Sequence, residues 1–352
     1  MRRPASRASE GLGNRLVSPY ISVNTEITDM GAKDMYAHQD PGTRLRILVL
    51  GGAGFVGRHV AAALLAQGAL ISIGSRHPHR RQRTGLDADY RHVRMERMIS
   101  PDSWNTLLGD VDVVINCVGI LRPRGRETYD RVHHRAPAAL AAACAARGLR
   151  LVHVSALGLD GPVRSRFLLS KRDGEAALRA SGADWHIVRP SLLDGEGGFG
   201  ARWIRRVAGW PLYVLPADAI GRIAVLDVGD LGEAIANLAI APSGHDLPRE
   251  LDLGGPNPCT LDEHIAAMRR LRTDSPAWQL RTPGWLARLA SHLCDLLHWT
   301  PFSYGHWELL RQDNCPRTNM LPRLLGRAPC TVGAHDPVQS GTPPLPATGV
   351  RA

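Results

Sequence analysis

Residues 46–57 read RILVLGGAGFVG, a short apolar run that leads into three regularly spaced glycines. The apolar run Arg46–Leu50 is typical of a buried parallel strand. After the glycines, apolar residues recur at helical spacing up to Gln67, and Gly68 marks the end of that helix. The stretch therefore predicts a strand, a tight glycine turn and a helix in direct succession.

The glycines have the spacing that a dinucleotide-binding turn requires. One glycine makes the turn, one lets the backbone approach a pyrophosphate, and one brings the helix close to the strand, so that the helix N-terminus faces negative charge. Because the strand and the helix fall where this motif needs them, a tight turn without a ligand is the weaker interpretation. We expect a dinucleotide to bind at Gly51, Gly54, Phe55, Val56 and Gly57.

Strand and helix patterns alternate along the first part of the chain. Further strand segments are predicted at 69–73, 111–118, 151–155 and 185–188, and helical segments at 136–147 and 171–180. This alternation is typical of α/β proteins in which helices cover both faces of a parallel sheet. We predict a Rossmann-type doubly wound parallel sheet at 45–195 and a smaller C-terminal lobe at 196–330. We predict that residues 1–44 form an extension, which is either disordered or precedes the true start residue. We predict a disordered tail at 331–352.

Composition restricts the classes of function. Of the 352 residues, 44% are hydrophobic and 22% are charged, which is enough to bury a proper core. The formal net charge of +10 favours anionic partners. The arginines, however, are spread along the chain without a nucleic-acid-binding pattern, so we predict no nucleic-acid partner. The six cysteines lack metal-ligand spacing, which predicts no metal site and a reduced intracellular setting.

The end of the second predicted strand indicates which coenzyme binds. NAD enzymes usually place an acid there, which bonds the ribose 2′-hydroxyl. This chain instead has Ser75 and Arg76, followed by Arg80 and Arg81. Such a cationic fork suits a 2′-phosphate, so we expect NADP(H) to be preferred. NAD(H) is the alternative if these arginines form only a solvated loop.

The order of motifs resembles a known superfamily. GGAGFVG (51–57), INCVG (115–119), HVSALG (153–158), FLLSK (167–171) and VRPS (188–191) follow one another as in the extended short-chain dehydrogenase/reductase superfamily, the NAD-dependent epimerase/dehydratase type. The similarity runs from about Arg46 to about Arg327. The segments LDLGGPNPCTLDEH (251–264) and HWELLRQDN (306–314) also resemble its atypical branch, which contains the complex I alpha-subcomplex subunit nine and bacterial relatives.

This resemblance implies a set of site residues. In the superfamily, a tyrosine exchanges a proton with the substrate, and a lysine four residues later lowers the pKa of the phenol and binds the nicotinamide ribose. A serine on the preceding strand assists them. The matching positions here are Ser155 and Lys171 as catalytic residues, with Lys171 also binding the coenzyme, whereas the tyrosine position is Phe167. The INCVG turn and the VRPS loop add Val118, Gly119 and Pro190 to the cofactor-binding residues.

The absent tyrosine shapes the functional prediction. Loss of a positioned general acid typically costs roughly 10²–10⁴-fold in rate. Unless Ser155 or Tyr129 replaces it, we expect a protein that holds NADP(H) in a structural or sensing role with weak or no turnover. The resemblance implies a link to respiratory complex I or quinone metabolism. The alternative is an active NADP-dependent oxidoreductase or epimerase on a carbonyl, sugar-nucleotide or quinone-precursor substrate.

The segment Trp285–Trp299 predicts an amphipathic helix with leucines on one face. Such a face packs on its own domain or docks on a membrane surface or membrane complex. A peripheral membrane adaptor with a vestigial nucleotide site is therefore a third alternative. The sequence contains no run of eighteen apolar residues, so we predict no transmembrane span. We expect a cytoplasmic or organellar-matrix location, with peripheral membrane association as an option. The sequence leaves the substrate and the oligomeric state open.

Overall fold

The computed structural model describes residues 44–78, 85–242, 244, 246–297 and 303–332. Several predicted features fall outside these residues: 1–43 of the extension, Arg80 and Arg81 of the cationic fork, Trp299, and 333–352 of the tail.

The described strands and helices alternate as predicted. The strands are β1 (Arg46–Leu50), β2 (Leu70–Ser75), β3 (Asp89–His92), β4 (Val113–Asn116), β5 (Arg150–Val154), β6 (Asp184–Pro190), β7 (Leu193–Asp194), β8 (Leu212–Pro216), β9 (Arg222–Ile223), β10 (Leu226–Asp227), β11 (Glu250–Leu253), β12 (Cys259–Thr260) and β13 (Trp278–Thr282). The helices are α1 (Phe55–Ala66), α2 (Ala136–Ala145), α3 (Arg166–Ala180), α4 (Phe199–Ala208), α5 (Val228–Ile240), α6 (Leu261–Arg270), α7 (Gly284–Leu297), α8 (Tyr304–Leu310) and α9 (Leu321–Leu325). A π-helical segment, Asp130–Arg135, leads directly into α2.

Seven of these strands form one parallel sheet in the order β3-β2-β1-β4-β5-β6-β11. Six of them, from β3 to β6, follow the strand order of dinucleotide-binding Rossmann folds, with β11 added at the edge. The prediction of a doubly wound α/β fold is therefore confirmed. β1 has its predicted bounds, and β2 and β4 differ from theirs by one or two residues at each end.

Strand β1 explains why the apolar run is continuous. Ile47 and Val49 point to one face of the sheet, where they pack in a cluster with side chains of α1, α5 and α9. Leu48 and Leu50 point to the other face and pack in a cluster with α2. Because successive side chains of a strand alternate between faces and helices cover both, every position after the first must be apolar.

The chain after residue 195 contributes to two regions. Helices α4 and α6 and strand β8 enclose a separate small core, which includes Tyr213, Leu215, Ile265 and Met268. By contrast, α5 packs on α1, and β11 pairs with β6 at the edge of the main sheet. The segment predicted as a C-terminal lobe thus also completes the Rossmann layers.

Candidate dinucleotide and substrate site

The glycine turn between β1 and α1 brings backbone segments into close contact. Gly51 has φ +75°, a left-handed conformation that favours glycine. A Cβ atom at Gly57 would lie 2.3 Å from the carbonyl oxygen of Gly51, so any side chain there would push α1 away. Helix α1 begins after Gly54 without a side-chain cap, and its first turn carries no acidic residue. The free N–H groups and the positive end of the helix dipole therefore suit an anion.

A cavity of about 1320 Å³ runs past this turn, along the carboxyl ends of β1, β2, β4, β5 and β6. In open α/β sheets, ligands bind at this edge. The predicted site residues that line the cavity are Gly51, Gly54, Phe55, Val56, Ser75, Arg76, Val118, Gly119, Ser155, Lys171 and Pro190. Gly57 lies behind them, against the turn. The volume exceeds the roughly 300–1,000 Å³ of a typical small-molecule site, which leaves room for a second ligand beside a dinucleotide.

At the end of β2, the chain brings an acid to the predicted cationic fork. Arg76 forms an ion pair with Glu127, which is carried by the loop after β4. The Arg76 side chain is 55% exposed and that of Glu127 only 16%. Both residues line the cavity, so an anionic ligand at Arg76 would compete with this carboxylate. The sequence did not indicate Glu127, because nothing in its spacing relates it to Arg76.

Ser155, directly after β5, and Lys171, on α3, line the cavity. The Ser155 Oγ is buried without a hydrogen-bond partner of normal geometry in the described part of the chain. Burial lowers the pKa of Lys171 to about 8, although the nearby Glu175 carboxylate opposes this shift. A hydroxyl and an ammonium on the cavity wall, together with an open glycine turn, fit a dinucleotide.

Behind this wall, a buried ion pair joins α3 to β6. Arg189 donates from Nε to Glu175 at 2.9 Å and from Nη2 to the same carboxylate at 2.6 Å. Burial opposes the ionisation of Glu175, but hydrogen bonding from Arg189 and the nearby Ser155 hydroxyl, together with the arginine charges, lowers its pKa below the ordinary value. Neither Glu175 nor Arg189 lines the cavity, so we assign the pair to the positioning of α3.

Phe167 lies among three other rings. Its ring centroid is 5.7 Å from that of Tyr129, 5.6 Å from that of His133 and 5.9 Å from that of His306. The Nζ of Lys171 lies 6.0 Å from the Phe167 centroid. The structure therefore brings Phe167 and Lys171 together as the resemblance implies, with an apolar ring where the superfamily has a phenol.

Tyr129 was named with Ser155 as a residue that could replace the absent phenol, but the structure engages its hydroxyl elsewhere. Its OH donates to the carbonyl oxygen of Leu121 at 2.8 Å. Burial raises the pKa of Tyr129 to about 12. Its side chain is also absent from the cavity wall. His306, by contrast, lines the cavity beside Phe167, and sequence reasoning missed it because it lies far from FLLSK in the chain.

The far end of the cavity is apolar. It is lined by Phe199, Trp203, Val214, Leu286 and Ala290, which belong to α4, β8 and α7. Beyond the cavity, the leucine face of α7 remains largely exposed rather than packed on its own domain. The cavity therefore connects the predicted coenzyme site to an apolar surface of the C-terminal part of the chain.

Comparison with known proteins agrees with this geometry. A family model described as NAD(P)H-binding matches residues 51–207. A ceramide reductase of Caulobacter vibrioides is 28% identical over 200 residues, which make up 56% of this chain and 61% of that protein. The match thus spans about three fifths of that reductase. A (4-alkanoyl-5-oxo-2,5-dihydrofuran-3-yl)methyl phosphate reductase of Streptomyces griseus is 30% identical over 227 residues, 64% of this chain and 73% of that protein.

A solved structure shares the fold over most of the chain. The UDP-glucuronic acid 4-epimerase of Bacillus cereus, solved with UDP-glucuronic acid and NAD, superimposes with a TM-score of 0.61 at 16% identity and covers 82% of this chain and 95% of its own. The fold and the cavity define an NAD(P)-binding Rossmann protein. The chain belongs to the NAD(P)H-binding family that also contains the Streptomyces reductase, and it shares the fold of the epimerase.

Proposed function

We propose that this protein is an NADP(H)-dependent reductase that acts on a carbonyl group of an apolar substrate. The observation that supports it is a single cavity in which the glycine turn, Ser155 and Lys171 adjoin an apolar extension. NADPH, when bound, would supply the hydride. The two curated relatives are both reductases by name, and a ceramide has the long hydrocarbon part that such an extension would accommodate.

In this proposal, different residues of the chain bind different parts of the coenzyme. The N–H groups at the start of α1 hold the pyrophosphate, and Arg76 holds the 2′-phosphate of NADP(H) after releasing Glu127. Lys171 holds the nicotinamide ribose as a compact ammonium, and the Ser155 hydroxyl on the cavity wall lies on the side of the reacting carbonyl. NAD(H) remains the competing coenzyme, because Glu127 could instead accept a hydrogen bond from a ribose 2′-hydroxyl.

Two measurements test this function directly. Native mass spectrometry of freshly purified protein should find a co-purifying NADP(H). With 2-dodecanone as the carbonyl probe, the protein should oxidise NADPH, followed at 340 nm. A protein that binds neither NADPH nor NADH would refute the proposal at its first step.

Binding without turnover is the second candidate, and Phe167 favours it. The ring offers no proton at the position where the superfamily has a phenol. In this case NADPH would bind tightly and remain unoxidised with carbonyl probes, which fits a structural or sensing role. The link to complex I or quinone metabolism rests on the resemblance alone and stays a prediction.

An exposed apolar surface favours an additional membrane contact. On α7, the exposed side chains include Trp285 at 71% and Leu296 at 73%. On the adjacent pair of strands β8 and β13, Trp278 and Leu280 are exposed at 81% and 54%, and Val214, which also lines the cavity, is exposed at 53%. No helix among the described residues is long and apolar enough to cross a membrane. A face with exposed tryptophans on a basic protein suits the interface of an anionic bilayer.

Vesicle binding tests this contact. Wild-type protein should sediment with vesicles that contain phosphatidylglycerol, and the double variant Trp278→Ser, Trp285→Ser should not. Leu70→Ser is the control. Leu70 is also an exposed apolar residue, at 49%, but it lies at the start of β2, at the end of the sheet away from the cavity. Equal sedimentation of all three proteins would argue against the membrane contact and leave the coenzyme proposal untouched.

A further inference from the structure

We propose that His306 takes the place of the absent phenol by donating a hydrogen bond from Nε2 to the carbonyl oxygen of the substrate. This inference rests on the proposed reductase function, because it assigns a residue to the carbonyl that the reductase would reduce. Its basis is the position, the partners and the environment of the imidazole.

The helix that carries His306 is fixed to the helix that carries Phe167. The Glu308 carboxylate accepts hydrogen bonds from the backbone N–H groups of Arg164 at 2.9 Å and Ser165 at 2.7 Å, at the start of α3. Gly305 lies directly against Phe167, since a Cβ atom there would come within 3.0 Å of the phenyl ring. The imidazole of His306 is therefore held beside position 167, stacked on its ring.

The partners of the imidazole indicate where its proton lies. Ser303 Oγ is buried, accepts the backbone N–H of His306 at 3.2 Å and lies 2.6 Å from Nδ1. Within the described residues the hydroxyl proton of Ser303 has no other acceptor, so we assign the hydroxyl as the donor and Nδ1 of His306 as the acceptor. This assignment places the proton of the neutral ring on Nε2.

Nε2 is available for a ligand. It has no hydrogen-bond partner among the described residues, it is not among the buried unpaired atoms, and His306 lines the cavity. The other imidazole beside Phe167 is already committed: His133 accepts from the Ile120 N–H at 3.0 Å through Nε2 and bonds Ser170 Oγ at 3.1 Å through Nδ1. His306 is thus better placed than His133 to reach a substrate.

The surroundings keep the imidazole neutral. Burial lowers the pKa of His306 to about 4, the charge of Arg122 lowers it further, and Asp295 opposes both. At neutral pH the ring therefore acts as a hydrogen-bond donor without a formal charge. A neutral imidazole can polarise a carbonyl in this way.

The proposed step is the reduction of a ketone to an alcohol. NADPH, when bound, would supply a hydride to the carbonyl carbon and become NADP⁺, while the electron pair of the C=O π bond would move to the oxygen. The N–H of His306 stabilises the charge that develops on the oxygen, and a proton from water completes the alcohol.

Matched substitutions test the role of the donor. With 2-dodecanone and NADPH, His306→Leu should lower kcat about 100-fold, the lower end of the effect of removing an oxyanion donor, with a much smaller change in KM. His306→Gln, whose side-chain N–H can occupy a similar place, should retain activity within about tenfold. His186→Leu is the control, because His186 is also a half-buried imidazole whose pKa burial lowers, and it lies outside the cavity. Wild-type kcat in a folded His306→Leu protein would overturn the inference.

Two readouts do not depend on turnover. In ¹⁵N NMR of histidine-labelled protein, the His306 signals should show the Nε2–H tautomer, and an Nδ1–H tautomer would overturn the inference. With NADPH present, the non-reducible carbonyl probe dodecanamide should bind about tenfold more weakly to His306→Leu than to wild type or His306→Gln, whereas equal binding would also overturn it. If the wild type binds NADPH but reduces no ketone, the reductase proposal fails, and these two measurements still decide whether His306 donates to a carbonyl.

Discussion

Arg76, directly after β2, is ion-paired with Glu127 from the loop after β4, and both side chains line the cavity. The residue that favours NADP(H) in the sequence therefore sits beside an acid of the kind that favours NAD(H). The coenzyme preference depends on which partner Arg76 takes when a dinucleotide binds.

Replacing Arg76 by Asp should weaken NADPH binding about 10–100-fold, since hydrogen bonds to charged groups contribute roughly 1.5–3 kcal/mol. Because NADH has no 2′-phosphate, its binding affinity should fall much less. Titration of the intrinsic tryptophan fluorescence with each coenzyme measures both affinities. Arg46→Asp is the control, because Arg46 is similarly exposed at 52% and paired with Asp112 at the opposite edge of the sheet. An equal loss for NADPH and NADH would remove the argument for NADP(H).

Glu127→Gln should have the opposite effect on NADPH. The substitution frees Arg76 and removes a negative charge beside the 2′-phosphate, so NADPH affinity should rise several-fold while NADH affinity stays constant or falls. Isothermal titration calorimetry with both coenzymes measures the ratio. Glu233→Gln serves as the control, since Glu233 pairs with Arg327 and does not line the cavity. Weaker NADPH binding by Glu127→Gln would show that the carboxylate supports this coenzyme rather than competing with it.

Phe167→Tyr restores a phenol beside Lys171. A positioned general acid contributes roughly 10²–10⁴-fold to the rate. Because His306 is proposed to supply part of this effect, kcat for 2-dodecanone should rise by no more than about 100-fold, the lower end of that range. The same change should restore turnover in the His306→Leu background. Steady-state kinetics of the two single variants and the double variant measure this, and Phe199→Tyr, at the apolar end of the cavity, controls for added polarity. A Phe167→Tyr protein no faster than wild type would contradict the prediction.

The Glu175–Arg189 pair should make the free energy of unfolding fall at acidic pH. The folded-state pKa of Glu175 is lowered, so its contribution is complete above the ordinary glutamate pKa of 4.5 and is lost as the pH falls through the lower folded value. Glu175→Gln leaves a charged guanidinium buried and should cost about 3–5 kcal/mol of the free energy of unfolding at pH 7. In this variant Arg189 would still be paired with Glu250, which lies 2.8 Å away, so we expect a cost near the lower figure of about 3 kcal/mol.

Urea unfolding between pH 7 and pH 3 tests this prediction. The wild type should lose more stability below pH 4.5 than Glu175→Gln does, although Glu250 also has a lowered pKa and contributes to the loss. Asp112→Asn, which breaks an exposed pair, should cost no more than about 1 kcal/mol. Parallel pH curves for wild type and Glu175→Gln would contradict the assignment.

The sequence predicted the elements whose signals are local. The run RILVL is apolar throughout because both faces of β1 are buried, and the glycines must be glycines because Gly57 meets the backbone of Gly51. Strand β3 has no such signal. Its sequence DYRH is polar, since it lies at the edge of the sheet and is only partly buried, so the patterns did not reveal it.

The parts of the site that sequence reasoning missed depend on contacts between distant segments. Glu127 reaches Arg76 through a long loop, and His306 reaches Phe167 because Glu308 fixes α8 to the start of α3. No spacing rule relates these residues along the chain. Only the folded arrangement reveals that the position without a phenol has an imidazole beside it.

The pairing of β11 with β6 has a consequence for anyone who wishes to isolate the coenzyme-binding half. A fragment that stops at residue 195 would strip β6 of its outer neighbour and uncover α1 where α5 now packs. Its bare edge would carry unpaired amide and carbonyl groups beside apolar side chains, an arrangement that promotes aggregation. Recombinant work on this half should therefore retain the polypeptide through at least Leu253.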